Sequence, residues 1–329
     1  MPRAPAFWFR DGWMAKMLSP LAAIGAAMTA RRVARPGWRA PVPVICCGNV
    51  TVGGAGKTTV VLDLARRLAA GGHAVHILLR GYGGRSRGTR RVSVEDTAID
   101  VGDEALLLAE VAPTWTGADR AASARAAVAA GATVLLMDDG LQNPLLKKDF
   151  SLLIVDGATG FGNGRVLPAG PLREPVAAGA ARCQAAVLIG APLSLPADLP
   201  VLHGSLVQGP EIAALKGRRV LAFAGIAYPE KFFAPLAEAG AEIVRRMPFP
   251  DHHPYSRGEM AAVLAEAAKL NAIPVTTPKD AVRLPADERA RVTVVGVGLE
   301  WEDETALTDL LEGIVAPRQT ALSASRMAT

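Results

Sequence analysis

The sequence predicts a mostly parallel α/β sheet with helices on both faces, followed by a smaller C-terminal α/β unit. Three observations carry this prediction. A glycine-rich loop sits between an apolar run and a helical pattern, "VICCGNVTVGGAGKTTVVLDLARRL". Further apolar strands alternate with helical segments along the chain, the signature of a parallel sheet. Half of the 329 residues are hydrophobic, with Ala, Gly and Val abundant, as suits strands covered on both faces.

The loop gives the fold its nucleotide-binding type. Measured against G-x-x-x-x-G-K-[ST], its first glycine is replaced by Thr51, and Gly53, Gly54 and Gly56 supply the flexibility. Glycines allow backbone N–H groups to turn towards an anion, and the helix that follows points its positive end at it. Gly53, Gly54, Ala55, Gly56, Lys57, Thr58 and Thr59 are therefore the expected phosphate cradle of a P-loop NTPase-type domain. Lys57 is placed for the β- and γ-phosphates, and the Thr58 hydroxyl for Mg²⁺. Partition-type ATPases carry a signature lysine where this chain has Val52, which counts against that class of switch.

Residues 1–39 form a distinct front end. They hold Arg3, Arg10, Lys16, Arg31, Arg32, Arg35 and Arg39 against Asp11 alone, whereas the whole chain has a net charge of only +5. Trp8, Trp13 and Trp38 lie in the same stretch, around an apolar run from Met17 to Ala30 that contains Pro20. That run is shorter than the roughly 20 apolar residues a bilayer span requires. Arginines on its far side argue against a cleaved signal peptide. An interfacial, amphipathic membrane-associating helix fits best, and a first helix packed on the core is the alternative.

The remaining elements follow in order. Strands are expected at "HAVHILL", "ATVLLMD", "DFSLLIVD" and "CQAAVLIG", completing a P-loop core over residues 40–210. A second series, "RRVLAFAGI", "AEIVRRMPF", "AIPVTTPKD" and "RVTVVGVGL", with intervening helices and a last helix from Glu302, predicts the smaller α/β domain at 211–316. The small, polar residues 317–329 read as a disordered tail. Three cysteines, two of them adjacent on a buried strand, provide neither a disulfide framework nor a usual zinc spacing. The near-neutral charge beyond the front end argues against nucleic acid.

Several polar stretches could carry chemistry. Asp138 and Asp139 close an apolar strand, where a P-loop sheet presents its Mg²⁺ partners. Asp103 and Glu104 open a helix, a position that the helix dipole alone also favours for acids. Arg80 ends a strand at "RGYGG". Arg173 and Glu174 end a proline-rich loop, "LPAGPLREP", which is suited to positioning a phosphate. In "FPDHHPYS" an acid–histidine pair could tune a base, a surface loop is the plain alternative, and no other His or Cys cluster completes a metal site.

Together these stretches resemble the tetraacyldisaccharide 4'-kinases of lipid A biosynthesis. The motifs stand here as GNVTVGGAGKT from Gly48, RGYG from Arg80, GDE from Gly102, DDGLQ from Asp138, LPAGPLREP from Leu167, FPDH from Phe249 and TTPKD from Thr276. The resemblance implies transfer of the γ-phosphate of ATP, with Mg²⁺, to the 4'-hydroxyl of tetraacyldisaccharide 1-phosphate, giving lipid IVA. The enzyme would sit on the cytoplasmic face of the inner membrane, with the membrane surface and the lipid as its partners and no obligate protein partner.

By the same resemblance Asp103 is the base, His252 its partner, and Lys57 and Arg173 the catalytic cations. Thr58, Asp138, Asp139 and Glu104 form the metal side. Arg80, Arg120, Gln142, Asn143 and Glu174 are substrate-side residues. Asn143 departs from the family, which commonly has histidine there. A membrane-bound partition- or septum-type ATPase switch is the competing function.

Overall fold

In the computed structural model, which describes residues 5–195 and 198–316, thirteen strands form two sheets. The strands of the first part are β1 (Val44–Gly48), β2 (Val75–Leu79), β3 (Arg90–Arg91), β4 (Thr114–Thr116), β5 (Val134–Asp138), β6 (Phe150–Asp156), β7 (Ala185–Ile189) and β8 (Val201–Gln208). They are followed by β9 (Arg219–Ala224), β10 (Glu242–Pro248), β11 (Ile273–Thr276), β12 (Thr293–Val294) and β13 (Val297–Trp301). The larger sheet has the order β13-β8-β7-β6-β1-β5-β2-β4-β3, and the smaller β10-β9-β11-β12. The smaller sheet is parallel throughout. In the larger one only the edge pairs β13–β8 and β3–β4 are antiparallel.

β1 shows why the large sheet needs helices on both sides. Ile45 and Cys47 pack with Val60, Val61, Leu64 and Leu68 of the helix after the glycine loop (Lys57–Ala70). Val44 and Cys46 face the opposite layer, with Ala124 and Ala127 of the helix Arg120–Ala129. All five residues of β1 are buried, the continuous apolar pattern of a central parallel strand.

Two expectations need correction. "RVTVVGVGL" is not one strand: it divides around Gly296 into β12, which extends the small sheet, and β13, which joins the large one. The unit expected over 211–316 accordingly returns to the first domain at its end. Leu299, Trp301, Leu307 and Leu311 lie in the core beneath the loop helix, and Trp301 Nε1 donates to Asp63 Oδ2 at 2.8 Å. The open antiparallel edge of β8 supplies the reason, since β13 pairs with it over five residues. The expected disordered tail lies outside the described residues.

In the front end a short 3-10 helix, Ala6–Phe9, precedes an α-helix, Trp13–Val33, that runs through Pro20 without a break. Ala15 and Ala22 are buried against the body. Trp13, Met17, Leu21, Ile24 and Met28, spaced by three or four residues, form an exposed stripe on the other side. Trp8 Nε1 donates to Pro168 O, and Asn163 Nδ2 donates to Phe7 O, tying the start of the chain to the loop that carries Arg173. Among the described residues no helix is long and apolar enough to cross a membrane.

Candidate active site

The glycine loop leaves β1 at its C-terminal end and is braced by the proline-rich loop. Val52 N donates to Pro171 O at 2.8 Å, and Arg173 N to Val50 O at 2.7 Å. Gly56, with φ of 76°, turns the chain into the loop helix, a conformation that side-chain-bearing residues rarely adopt. Lys57 and Thr58 thus stand at the helix's positive end. Lys57 Nζ lies 3.7 Å from Asp139 Oδ1, and the Thr58 hydroxyl donates to Asp138 Oδ2 at 3.4 Å.

Asp138 and Asp139 end β5 with different partners. Asp139 adopts a positive φ of 54°, uncommon for a non-glycine residue, which turns its carboxylate to Arg173. Arg173 Nη1 donates to both Asp139 oxygens at 2.9 Å. Burial raises the Asp139 carboxyl, but Lys57 and Arg173 outweigh it and hold the group below the usual range. Asp138 goes the other way: burial, reinforced by the charge of Glu104, pushes it up to about 7. It is 3% exposed, and its Oδ1 has no hydrogen-bond partner.

That orphaned carboxylate oxygen and the adjacent hydroxyl are what a hard divalent cation requires. Among the described residues no group of three or more His, Cys, Asp or Glu side chains could hold a metal ion alone. The acid and hydroxyl fit Mg²⁺, which keeps several waters and takes its remaining ligands from nucleotide phosphates. Close enough to Asp138 and Asp139 to feel their charge, Arg120 is 3% exposed. Burial brings it down to about 10, one donor goes to Gly117 O, and its Nε is unpartnered. A buried cation with a free donor suits an anion, and Arg80 at the end of β2 adds positive charge nearby.

The second wall is made where the GDE segment of the large-sheet part meets loops of the small sheet. Gly102, with φ of 88°, ends one short helix and starts the next at Asp103. A Cβ there would lie 2.4 Å from Tyr82 O, so the GDE and RGYG motifs fit together only through glycine. Asp103 is 4% exposed. Its Oδ2 is 2.8 Å from His252 Nδ1, across 149 positions of sequence, and 3.7 Å from Arg283 Nε. Burial raises the Asp103 carboxyl, but His252, Lys279 and Arg283 overcome this and hold it low. The hydrogen bond to Asp103 in turn raises His252 against the opposing effect of burial.

His252 also has a positive φ, 57°, in a loop held by its own domain. Its N–H donates to Gly225 O at 3.1 Å, and Arg283 donates to the carbonyls of His253, Gly225 and Lys279. Asp280 completes this frame by accepting from Gly225 N and from the Tyr255 hydroxyl.

Lys57, Thr58, Asp103, Glu104, Asp138, Asp139, Arg173 and His252 are thus brought together through contacts and charge interactions, with Arg120 and Arg80 beside the Asp138–Asp139 pair. Gln142 and Glu174 stand behind it. Gln142 Nε2 donates to Asn49 O at 2.9 Å and to Glu174 Oε1 at 2.8 Å. Arg182 grips both Glu174 oxygens at 2.7 and 2.8 Å. Asn143 is not brought in: its Oδ1 accepts from Leu145 N in the turn after β5, and it borders a separate cavity at the end of the N-terminal helix. The sequence reading missed Arg182 and Arg283, each an unremarkable arginine in a helical or turn context. It quoted TTPKD without assigning Lys279 a task, although Lys279 Nζ donates to Glu104 Oε1 at 2.8 Å.

A phosphate loop with a lysine, a Mg²⁺-compatible acid and hydroxyl, and a buried acid–histidine pair facing them define a P-loop phosphotransferase acting on a hydroxyl. Similarity to known proteins gives the particular family. The tetraacyldisaccharide-1-P 4'-kinase family model matches residues 14–316. The tetraacyldisaccharide 4'-kinase of Rhodospirillum centenum is 55% identical, over 95% of this chain and 97% of the relative. That of Gluconacetobacter diazotrophicus is 56% identical over 94% and 97%.

Among solved structures, LpxK from Aquifex aeolicus in complex with ATP superposes with a TM-score of 0.75 at 28% identity, covering 92% of this chain and 99% of that one. The chain belongs to the tetraacyldisaccharide-1-P 4'-kinase family, and the competing reading as a partition-type switch falls away.

Proposed function

We propose that this protein phosphorylates the 4'-hydroxyl of tetraacyldisaccharide 1-phosphate with ATP and Mg²⁺, giving lipid IVA, while docked on the cytoplasmic face of the inner membrane. The observation that carries the proposal is the Asp103–His252 contact, which faces the phosphate loop from across the cleft. A switch ATPase needs no buried base opposite its lysine, whereas a sugar hydroxyl gains from one.

In this reading Lys57 and the loop's N–H groups hold the β- and γ-phosphates, with Arg120 and Arg80 flanking them. Thr58 and Asp138 would hold Mg²⁺, which would neutralise phosphate charge when bound. Arg173 keeps Asp139 ionised and oriented. Asp103, fixed by His252, accepts the hydroxyl proton as the oxygen attacks the γ-phosphorus. Because the base and the histidine that fixes it come from different domains, their alignment would also exclude water that would otherwise take the phosphate.

The exposed stripe Trp13–Met28 and the basic residues Arg31, Arg32 and Arg35 support membrane docking. Apolar side chains would enter the interface while the arginines meet anionic headgroups. The test of the function is transfer of labelled γ-phosphate to the lipid acceptor in detergent micelles. A labelled lipid is expected; label released only as free phosphate, at a rate indifferent to the lipid, would refute the reading. Deleting residues 1–30 should lower sedimentation with anionic vesicles more than it lowers ATP binding, and equal losses would count against the docking surface.

A further inference from the structure

The geometry points to Lys279 as a catalytic lysine that the small sheet delivers to the phosphoryl group in transit. This inference rests on the proposed kinase function. Four acids, Asp103, Glu104, Asp138 and Asp139, line the cleft, and most of the cations around them are already committed. Lys57 and Arg173 both meet Asp139. Arg283 donates to carbonyls and pairs with Asp280 within its own domain, and beyond it meets only the buried Asp103, at 3.7 Å. Lys279 alone among these reaches over from the small sheet to a partly exposed carboxylate, Glu104.

The backbone at Lys279 is built to hold it there. Thr277 caps a one-turn helix, Pro278–Ala281, by accepting from Asp280 N, and Asp280 is fully buried in the frame described above. The lysine therefore extends from a fixed base at the C-terminal end of β11. An ammonium has three donors, and Glu104 takes one. The positive charge of Lys279 is also felt at Asp103, Asp138 and His252, the groups that surround the path from phosphate loop to acceptor.

In the transfer, a lone pair of the 4'-oxygen forms the new bond to the γ-phosphorus. The bond from that phosphorus to the β–γ bridging oxygen breaks, and ADP leaves with its electrons. The hydroxyl proton goes to Asp103. Negative charge on the transferring group is then partnered on one side by Lys57, and Lys279 exchanges Glu104 for that group on the other. A cation brought from a second domain makes charge stabilisation conditional on domain alignment, as cations supplied in trans do for other phosphoryl transfers.

The experiment compares full-length wild type with Lys279→Met and Lys279→Arg. Each is assayed for lipid phosphorylation, thermal melting and binding of Mg·ADP with and without fluoroaluminate, lipid acceptor present in micelles. Removing one donor aimed at developing charge lowers kcat on the order of a hundredfold or more. For Lys279→Met we expect that loss with KM for ATP little changed. Fluoroaluminate, which mimics the phosphoryl group in flight, should tighten ADP binding to wild type on the order of a hundredfold. It should tighten binding to Lys279→Met only slightly, while Lys279→Arg keeps part of both effects.

If Lys279 merely latches the domains through Glu104, Lys279→Met will melt lower yet retain the fluoroaluminate gain, and the inference is overturned. A kcat close to wild type overturns it as well. Absence of lipid phosphorylation by wild type would instead refute the kinase reading itself.

Discussion

Replacing His252 by Gln tests the proposed base most directly. The variant keeps a polar group in the loop but removes the charge-assisted hydrogen bond that His252 Nδ1 makes to Asp103 Oδ2 at 2.8 Å. Such a bond contributes about 1.5–3 kcal/mol, or about 10- to 150-fold in rate if it operates fully in the transition state. The ring is partly open to solvent, 39% for its side chain, so the lower end, about 10- to 30-fold in kcat, is expected. Asp103→Asn removes the proton acceptor itself and should cost more, about 10²- to 10⁴-fold.

Neither residue touches the phosphate loop, so KM for ATP should stay within about threefold of wild type in both cases. Labelled transfer to the lipid acceptor under saturating ATP measures this. A His252→Gln enzyme as fast as wild type, or one whose defect lies wholly in KM for ATP, would refute the reasoning. The same pair makes a pH prediction. Asp103 is held low, so its contribution to stability is present above its unfolded value near 3.9 and fades as pH falls through the lower folded value. His252 is raised, so its contribution is complete below about 6.5 and fades as pH rises through the higher folded value. The melting-temperature gap between wild type and His252→Gln should therefore be widest near pH 5–6 and shrink in alkali. A gap independent of pH would contradict the charged pair.

Three further outcomes follow from other parts of the site. Asp138→Asn should raise the Mg²⁺ concentration for half-maximal rate on the order of tenfold or more, because it weakens a partner in a site with few protein ligands; magnesium titrations of kcat measure it. Arg182→Met strands Glu174, which is 2% exposed, and should cost about 3 kcal/mol, or about 6 °C in melting temperature. Adding Glu174→Gln should recover part of that loss, and melting curves of both variants decide the matter. Leu21→Glu with Ile24→Glu should leave the melting temperature nearly unchanged, since both side chains are exposed. It should weaken binding to anionic vesicles about a hundredfold or more, from the apolar burial removed, and unchanged sedimentation would count against the stripe.

The phosphate loop was legible because its function and its local structure use the same residues. Glycines, Lys57 and Thr58 stand together in sequence, between a strand and a helix that are each recognisable by period. The other half of the site was legible only as isolated motifs. Asp103 at a helix start and His252 in a loop are locally unexceptional, and nothing in their 149-residue separation says that a second sheet will bring them together. The family resemblance supplied that pairing; spacing did not.

The misread strand has a similar physical cause. A run of valines between Arg291 and Leu299 alternates like one strand, but its two halves satisfy different sheet edges. Asn143, grouped with the site by resemblance, has its side-chain oxygen held by Leu145 N in the turn after β5.

What the sequence hides most completely is the scaffolding that makes the cleft conditional on two domains. Asp280 has no contact of its own with the phosphate loop. It nevertheless accepts from Gly225, Thr277 and Tyr255 and pairs with Arg283, thereby fixing both the loop that presents His252 and the helix that presents Lys279. One buried carboxylate thus sets the positions of two groups that meet Asp103 and Glu104, neighbours on the other domain. Misalignment of the domains would remove base support and cation together. In the proposed mechanism the base alone could not then act on water with full phosphate activation, the arrangement a kinase requires if ATP is to be consumed only with its acceptor in place.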